Sequence, residues 1–362
     1  YVDNLLTGVS ELDLHKLESS HHYTQNAVAF YQQANKIMRD AGFNLRGWAT
    51  NDPILKGIIK ADNNGDQDPV VNALGLKWDT CYDNLTFPPK PPSQSDEILT
   101  KREVLKQASS LFDPLGLLSP IHIQAKILIQ ELWQSKCTWD QPLSPELHLR
   151  WCQISADLNA ARGVTIARQY FEIKEKEPVE LHVFCDASIK AYGAAVYIKQ
   201  NNSVSLAMAK TRVKPLKEVT IPRLELLATL VGARLAKYVR KALQSVLSIT
   251  CCTLWTDSQI VLHWLSCDKT LPIFISNRIH EIRNVNFDAH KYCPSSQNPA
   301  DLLTRGITAS QFKSASLWWH CPKLLLQSHN SVDSVQHPNI PYCMSPKRTS
   351  PDIQESLLRF RV

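Results

Sequence analysis

The sequence predicts a mixed α/β domain between residues 178 and 312, in which helices flank a mixed five-stranded sheet. Two observations lead to this fold class. Short apolar runs typical of strands alternate with longer amphipathic stretches typical of helices. Their order is three strands, one helix, a fourth strand, further helices and a last short strand. Strands that follow one another and strands joined through a helix then share one sheet, with helices on its faces.

The first three strands are close neighbours in the sequence. Leu181–Cys185 is an apolar run typical of a buried strand, and a second run covers Tyr192–Ile198 after a short polar segment. Asn201 and Asn202 indicate a turn, and Ser203–Lys210 is the third strand. These three runs are the first three strands of the predicted sheet.

A long amphipathic helix follows the third strand. Pro222 occupies an early helical position and Thr220 is a plausible N-cap. A fourth strand is predicted over Ile249–Trp255, a fifth near Phe287–Tyr292, and a last helix begins at Asn298-Pro299-Ala300. The apolar residues that mark the long helix are Leu224, Leu227, Ala228, Val231, Leu235, Tyr238 and Val239.

The first half of the chain has a different pattern. We predict a helix from Tyr23 to Ala41 and a hairpin within Ala73–Thr86, then a proline-rich linker over Pro88–Ser95. Two helices are expected between residues 100 and 135. They are interrupted at Asp113–Gly116, because proline lacks a donor N–H and glycine tolerates positive φ. Residues 327–350 are rich in Ser, Pro, His and Asn, and we assign them no order.

Composition restricts the class of protein. The chain has 362 residues, 44% of them hydrophobic, a formal net charge of +6, and no run of apolar residues long enough to cross a bilayer. Its ten cysteines form no CxxC pair and no regular framework, so we expect reduced thiols and an intracellular location, cytoplasmic or nuclear. The chain starts with Tyr1 and shows no secretory signal, so we expect a fragment of a longer protein without a membrane partner.

Basic residues are concentrated between Lys210 and Lys241. This segment contains nine Lys and Arg residues and only two acidic residues, so it would attract a phosphate backbone. Taken alone, the run is more typical of a solvated helix face than of a binding site. The residues expected to contact nucleic acid are Lys210, Arg212, Lys214, Arg223 and Ser258.

Four acids occupy positions that could converge. Asp186 ends the first strand, Glu225 lies in the first turn of the long helix, Asp257 ends the fourth strand and Asp301 lies in the last helix. Their apolar neighbours make uncompensated burial unfavourable, and divalent metal would compensate it. Oxygen ligands without a His or Cys cluster favour Mg²⁺ or Mn²⁺. Each acid alone also fits a helix cap or a helix dipole.

Several motifs carry a resemblance to a known family. The segments around the acids resemble the ribonuclease H domain of reverse transcriptases: Phe184-Cys185-Asp186-Ala187-Ser188, Pro222-Arg223-Leu224-Glu225-Leu226, Trp255-Thr256-Asp257-Ser258 and Asn298-Pro299-Ala300-Asp301. The chain also resembles, over about residues 1–325, the Pol polyprotein of Bel/Pao-type LTR retrotransposons. Four further segments carry this resemblance: Leu99–Leu105, Phe112–Leu117, Ala125–Leu128 and Leu317–His320.

This resemblance implies a ribonuclease H-like fold and an endonuclease that hydrolyses the RNA strand of RNA/DNA hybrids. Asp186, Glu225, Asp257 and Asp301 would be both catalytic and metal-binding, holding two Mg²⁺ or Mn²⁺ ions, with Asp186 bridging them. Many relatives carry a histidine in the loop before the last acid. Here that loop, Pro294–Asn298, has none, and His290 lies too early. Expected partners are the hybrid and the upstream reverse transcriptase and downstream integrase portions of Pol.

The N-terminus resembles half of a polymerase site. Tyr1-Val2-Asp3-Asn4 is similar to the Tyr-x-Asp-Asp turn of reverse transcriptase palms, with Asn4 in place of an aspartate. We therefore read Asp3 and Asn4 as a degenerate polymerase motif and expect no reverse transcriptase activity. The predicted divisions are a truncated palm and following segment (1–98), a helical connection (99–177), the ribonuclease H-like domain (178–312) and a partly disordered connector (313–362).

Other interpretations carry less support or stay open. An aspartic protease needs Asp-Thr/Ser-Gly, which neither Asp79-Thr80-Cys81 nor Asp257-Ser258-Gln259 provides, and an integrase needs an upstream His/Cys module. The main alternative is a non-catalytic nucleic-acid-binding remnant of a degenerate retroelement. Trp78 is either a contact near a primer terminus or a core aromatic, and Trp318 and Trp319 are more typical of packing than of a site.

Overall fold

A computed structural model describes residues 21–66, 68–89, 98–171 and 177–326 together with Leu358. Asp3 and Asn4, most of the proline-rich linker and residues 327–350 lie outside these described residues. The chain divides into two compact units. The first contains the residues up to Thr86 and those from 165 to 169, and the second contains the remainder.

The first unit combines two helices with a small antiparallel sheet. Helix α1 (His21–Asp40) confirms the helix predicted over Tyr23–Ala41, and α2 (Pro53–Ala61) follows it. The sheet has the order β1-β2-β3-β4, with β1 at Val70–Ala73, β2 at Leu76–Asp79, β3 at Asn84–Thr86 and β4 at Thr165–Ala167. Trp78 is 7% exposed and its indole donates to Asp83 at 2.9 Å, so this tryptophan is a core residue.

The second unit begins with three helices, α3 (Lys101–Ser109), α4 (Ser119–Gln134) and α5 (Pro145–Ala161). The two helices predicted around Asp113–Gly116 are thus present. The elements that follow are β5 (Val179–Ala187), β6 (Ala191–Gln200), β7 (Ser203–Val213), α6 (Ile221–Leu243), β8 (Ile249–Thr256), α7 (Gln259–Ser266), α8 (Ile273–Arg283), β9 (Ala289–Tyr292), α9 (Asp301–Arg305), α10 (Ala309–Lys313) and α11 (Ser316–Trp319).

The five strands of this unit form one mixed sheet in the order β7-β6-β5-β8-β9. The pairs β7–β6 and β6–β5 are antiparallel, whereas β5–β8 and β8–β9 are parallel. This arrangement confirms the predicted fold class, a ribonuclease H-like mixed sheet. It also brings the C-terminal ends of β5, β8 and β9 to one edge of the sheet.

Helix α6 covers one face of the sheet at close range. A Cβ added at Gly232 would lie 2.5 Å from Cys185 Sγ, so only glycine allows this approach. Because α6 packs against β5, β6 and α8, its buried strip is wider than the sequence predicted. Leu226 and Ala236 are buried there, whereas the predicted Leu227 is half-buried.

Helix α4 packs along β7, an edge strand of the sheet. Lys126 Nζ donates to Thr211 O at 3.3 Å and Gln130 Nε2 donates to Lys214 O at 2.6 Å. In the turn before α4, Leu115 O accepts a hydrogen bond from Ala209 N at 2.8 Å. The helices predicted as a separate connection therefore belong to the same compact unit as the sheet, while the four domain boundaries stay predictions.

The turn before α4 also contains a buried carboxylate. Asp113 accepts hydrogen bonds from Leu117 N at 2.9 Å and Leu118 N at 2.8 Å, and so holds the turn that leads into α4. Burial raises the pKa of Asp113 to about 6, although these two bonds and Lys126 oppose the rise. This is a structural role for the Asp-Pro-Leu-Gly motif.

The two tryptophans of α11 fill interior space. Trp318 is fully buried, donates to Leu117 O at 3.0 Å and accepts at its own carbonyl from Tyr197 at 2.8 Å. Trp319 donates to Phe312 O at 3.0 Å. Both therefore pack against the protein, as their sequence context indicates. None of the described helices combines the length and apolar character needed to cross a bilayer.

We expect Gly116→Ala to destabilise the second unit. Gly116 has φ +72°, and an added Cβ would lie 1.9 Å from Ala209 O, so the turn would have to leave β7. The free energy of unfolding should fall by roughly 2–4 kcal/mol, measured by urea denaturation.

Gly163→Ala is the matched control, because the nearest atom to its added Cβ is 3.6 Å away. It should change stability by less than about 1 kcal/mol. Equal losses in the two variants would show that the turn does not depend on its contact with β7.

Candidate active site

The predicted acids meet at the carboxyl ends of β5 and β8. These strands are parallel neighbours in which Cys185 pairs with Thr256, so the residues that follow, Asp186 and Asp257, lie at the same edge of the sheet. Asp186 is only 6% exposed. Strand topology thus places one carboxylate in the interior directly beside another.

Glu225 joins this edge from helix α6. Ser258 Oγ donates to Glu225 Oε2 at 2.5 Å and accepts from Val261 N at 3.2 Å, so the same hydroxyl caps α7 and holds the glutamate. Ser258 is 5% exposed. The contact of Ser258 with nucleic acid stays a prediction. Its hydroxyl is already engaged by Glu225 and Val261 within the protein.

Asp301 is positioned by the start of α9. The fully buried Asn298 donates from Nδ2 to Cys185 O at 3.0 Å and accepts from Ala300 N at 3.1 Å. This side chain therefore ties the beginning of α9 to the end of β5. One turn later, Arg305 Nε forms an ion pair with Asp301 Oδ1 at 2.7 Å.

Two further hydroxyl groups hold the remaining carboxylates. Thr304 Oγ1 lies 2.6 Å from Asp186 Oδ2 and donates to it, with Asp301 O as a second acceptor at 3.0 Å. Ser295 Oγ donates to Asp257 Oδ2 at 2.5 Å. Each of the four predicted acids thus has a hydrogen-bond donor from the chain itself, which compensates part of its desolvation.

The carboxylates are close enough to change one another's protonation. Burial raises the pKa of Asp186 to about 7, with Asp257 and Asp301 adding to the rise and the Thr304 hydroxyl and Arg305 opposing it. Burial and the charge of Asp257 also raise the pKa of Glu225, against the bond from Ser258. Burial and the charge of Asp257 likewise raise the pKa of Asp301, while Arg305 opposes the rise. Asp257 is the shared neighbour of the cluster.

The donor set suits a hard divalent cation. Four carboxylates supply oxygen ligands and concentrate negative charge that a cation would offset. Over the part of the chain that the structure describes, however, no three His, Cys, Asp or Glu side chains come close enough together to hold a metal ion. Each carboxylate is bonded to a different side chain of the protein, so the four are held separately.

Positive charges lie on the neighbouring edge strand and on α6. Lys210 and Arg212 are exposed on β7, and Lys214 is half-buried just after it. Burial and the positive charges of Lys210 and Arg212 lower the pKa of Lys126, which shows that these cations are near one another. The guanidinium of Arg223, two residues before Glu225 on α6, lies 5.2 Å from the Phe274 ring centroid.

The family comparison agrees with this architecture. Residues 100–258 match a family model described as the Pao retrotransposon-like RNaseH-like domain. The resemblance to Bel/Pao-type elements is confirmed. The match begins at the N-cap of α3, so the matched segment covers the helices α3–α5 as well as the strands β5–β8, and it contains Asp186, Glu225 and Asp257.

Several solved structures are similar to the chain at low identity. Ribonuclease H1 from the archaeon Halobacterium salinarum is 16% identical, with a TM-score of 0.26, and the alignment covers 35% of this chain and 93% of that one. LC11-RNase H1 in complex with RNA/DNA hybrid is 13% identical, with a TM-score of 0.27 and coverage of 34% and 92%. No curated protein matches the chain.

A reverse transcriptase is also among the similar structures. The foamy viral protease–reverse transcriptase in complex with RNA/DNA hybrid is 11% identical, with a TM-score of 0.37, and the alignment covers 80% of this chain and 36% of that one. The chain thus spans about a third of that protein's length. The assignment of the fold rests on the strand order and on the Pao-type match.

Sequence reasoning missed the residues that hold the acids. Thr304 and Arg305 had a readable signal, because they follow Asp301 by three and four positions and a helix brings such residues to one face. Asn298 lies in a recognised motif but had no assigned role. Ser295 had no local signal, since its contact with Asp257 depends on how the loop folds back.

In the absence of divalent cations, we expect Asp186→Asn to change the pH dependence of stability. The pKa of Asp186 rises from 3.8 to about 7 on folding, so the folded protein holds a proton that the unfolded chain releases near pH 4. Between about pH 4 and pH 7 the wild type should lose roughly 2–4 kcal/mol more of its free energy of unfolding than the variant does.

Urea denaturation in chelator across this pH range measures the difference. Asp268→Asn, an exposed carboxylate on the loop after α7, is the control and should follow the wild type. Parallel curves for the wild type and Asp186→Asn would mean that folding does not raise the pKa of Asp186.

Proposed function

We propose that the chain is a metal-dependent endonuclease that hydrolyses the RNA strand of RNA/DNA hybrids. The proposal rests on the convergence of four carboxylates at the carboxyl ends of β5 and β8, at one edge of a ribonuclease H-like sheet. Three of the four lie within the segment that matches the Pao-type domain. Such a cluster has no stabilising purpose of its own, because like charges at this depth oppose folding.

Asp186, Glu225, Asp257 and Asp301 are the proposed ligands of two Mg²⁺ or Mn²⁺ ions, with Asp186 as the shared ligand. When bound, such ions supply activation of water and stabilisation of the leaving oxygen. The resemblance to ribonucleases H gives Asp186 this shared position, and Asp186 is the most deeply buried of the four acids. Closer approach of the carboxylates would accompany binding, as the cation removes the repulsion that separates them.

The hydroxyl groups are the positioning residues of this proposal. Ser258 orients Glu225, Ser295 orients Asp257 and Thr304 orients Asp186, each by a hydrogen bond of 2.5 or 2.6 Å. Ser295 lies in the loop where many relatives carry a histidine. Its contact with Asp257 gives that loop a direct link to the cluster without a titrating side chain.

The substrate would lie across the edge of the sheet that carries the acids. Lys210, Arg212, Lys214 and Arg223 are available for phosphate groups, which fix register without reading sequence. Helix shape and 2′-hydroxyl groups would distinguish the RNA strand. The upstream reverse transcriptase and downstream integrase portions of Pol are the proposed partners, and the loss of polymerase activity through Asn4 stays a prediction.

A non-catalytic nucleic-acid-binding protein is the second candidate. One observation favours it: in the described ranges, no three potential ligands are gathered for a metal ion. Such a remnant would bind hybrid through its basic residues with a strong salt dependence and would never cut it. Divalent cations would then weaken binding as other salts do and would leave the RNA strand intact.

We expect Asp186→Asn to abolish cleavage while preserving binding. The amide keeps an acceptor for Thr304 but removes a negative charge from the proposed metal site, so cleavage should fall by roughly a hundredfold or more. Cleavage of a hybrid labelled on its RNA strand, with Mg²⁺, with Mn²⁺ and with chelator, measures this.

Binding of the same hybrid in chelator should be equal for the wild type, Asp186→Asn and the control Asp268→Asn, and the control should cleave like the wild type. Folded wild-type protein that binds the hybrid and leaves it intact in both metals would contradict the nuclease. That result would support the non-catalytic candidate.

A further inference from the structure

Two tryptophans lie exposed near the C-terminal end of α4. Trp133 is 48% exposed and Trp139 is 38% exposed, with ring centroids 5.2 Å apart and planes at 87°. Aromatic side chains of this size are largely buried in most proteins, and an exposed pair is typical of a binding surface. The carboxylate cluster makes no use of them.

Cations hold these rings in place. Lys101 is 5% exposed, its Nζ lies 3.6 Å from the Trp133 ring centroid and 5.0 Å from that of Trp139, and it donates to Cys137 O at 3.2 Å. The guanidinium of Arg102 lies 5.5 Å from the Trp139 ring. These cation–π contacts orient both indoles while leaving much of their surface open to solvent.

The backbone fixes the segment that carries Trp139. Arg102 N donates to Trp139 O at 3.1 Å and Leu143 N donates to Leu99 O at 3.0 Å. An isolated bridge pairs Thr100 with Pro142. The surface formed by Trp133 and Trp139, which we call the tryptophan pair, is therefore ordered before any partner binds, and this lowers the entropic cost of binding.

Strand topology places the tryptophan pair at the carboxylate end of the sheet. Val213, the last residue of β7, pairs with Ala191, and β6 in turn pairs with β5, so β7 ends at the edge where Asp186 lies. Helix α4 runs along β7 towards this end, because Lys126 contacts Thr211 and Gln130 contacts Lys214. Trp133 follows Gln130 by one turn.

The charge between the carboxylate cluster and the tryptophan pair is mainly positive. Lys210, Arg212 and Lys214 lie between the acids and α4, and Lys136 next to the pair is exposed. Arg102 is itself paired with Asp140 at 2.7 Å, so most of the positive charge here comes from Lys136, Lys210, Lys214 and Arg212. A negatively charged chain with flat apolar groups matches both features, and a phosphate backbone with unpaired bases is such a chain.

We propose that the tryptophan pair binds unpaired bases of a single-stranded extension that continues from a hybrid bound at the carboxylate cluster. Bases within a duplex are already stacked and are not available to indole rings, whereas unpaired bases stack on them without regard to sequence. The location of the hybrid in this inference rests on the proposed function. Stacking itself requires no cleavage.

The test compares two probes on the full chain in chelator, where metal-dependent cleavage does not occur. One is a blunt fluorescent RNA/DNA hybrid, and the other is the same hybrid with a single-stranded extension of about ten nucleotides, prepared separately at each end. Trp133→Leu with Trp139→Leu should weaken binding of at least one extended probe by about tenfold and leave the blunt probe unchanged. Leu149→Ala, an exposed apolar residue on α5, is the control and should change neither.

Equal affinity of wild type and variant for every extended probe would overturn the proposal, and so would an equal loss on blunt and extended probes. A wild-type dimer that becomes monomeric in the variant, with unchanged probe binding, would identify the pair as a protein contact instead. If circular dichroism shows that the double variant is unfolded, Trp139→Leu alone keeps the contact between Lys101 and Trp133 and gives the same comparison.

Failure of the proposed function has a different signature. It would appear as an uncut hybrid in Mg²⁺ or as weak binding of the blunt probe by the wild type. A preference for the extended probe that depends on the tryptophans would persist in the first case, because it is measured without metal.

Discussion

The gathering of four carboxylates at one edge of the sheet, with Asp186 buried among them, is the constraint on which the arrangement around the site depends. Asp186 is 6% exposed beside Asp257, and its pKa rises to about 7 as a result of burial and of its charged neighbours. Each of the four acids is stabilised by a hydrogen bond or an ion pair from a different side chain, namely Thr304, Ser295, Ser258 or Arg305. A fold that keeps such a cluster bears a free-energy penalty which a bound cation would relieve.

The same constraint explains why the helices before the sheet belong with it. Asp301 and Thr304 lie on the five-residue helix α9, which is too short to hold its position alone. Asn298 ties its start to Cys185, and Gln124 on α4 donates to Arg305 O at 2.6 Å at its end. Helix α4 also covers β7 through the turn at Gly116. The Pao-type match from residue 100 is consistent with this shared packing.

The sequence predicted what local pattern and motif determine. The strands, the helix α6, the interruption at Asp113–Gly116 and the fold class all follow from periodicity and turn residues. The placement of Asp186 beside Asp257 followed once both were read as strand ends. What could not be predicted depends on distant contacts: Ser295 reaching Asp257, Lys101 lying against Trp133, and α4 covering β7. No periodicity encodes such contacts, because they join elements far apart in the sequence.

The most direct test of the account is a crystal of the chain with bound RNA/DNA hybrid, soaked in Mn²⁺ and measured for anomalous scattering. The account predicts two Mn²⁺ peaks among Asp186, Glu225, Asp257 and Asp301, about 4 Å apart and with Asp186 in contact with both. In a matched crystal of Asp186→Asn the peaks should be lost or weakened. Hybrid bound at the basic residues with no Mn²⁺ at the carboxylates of the wild type would contradict the account.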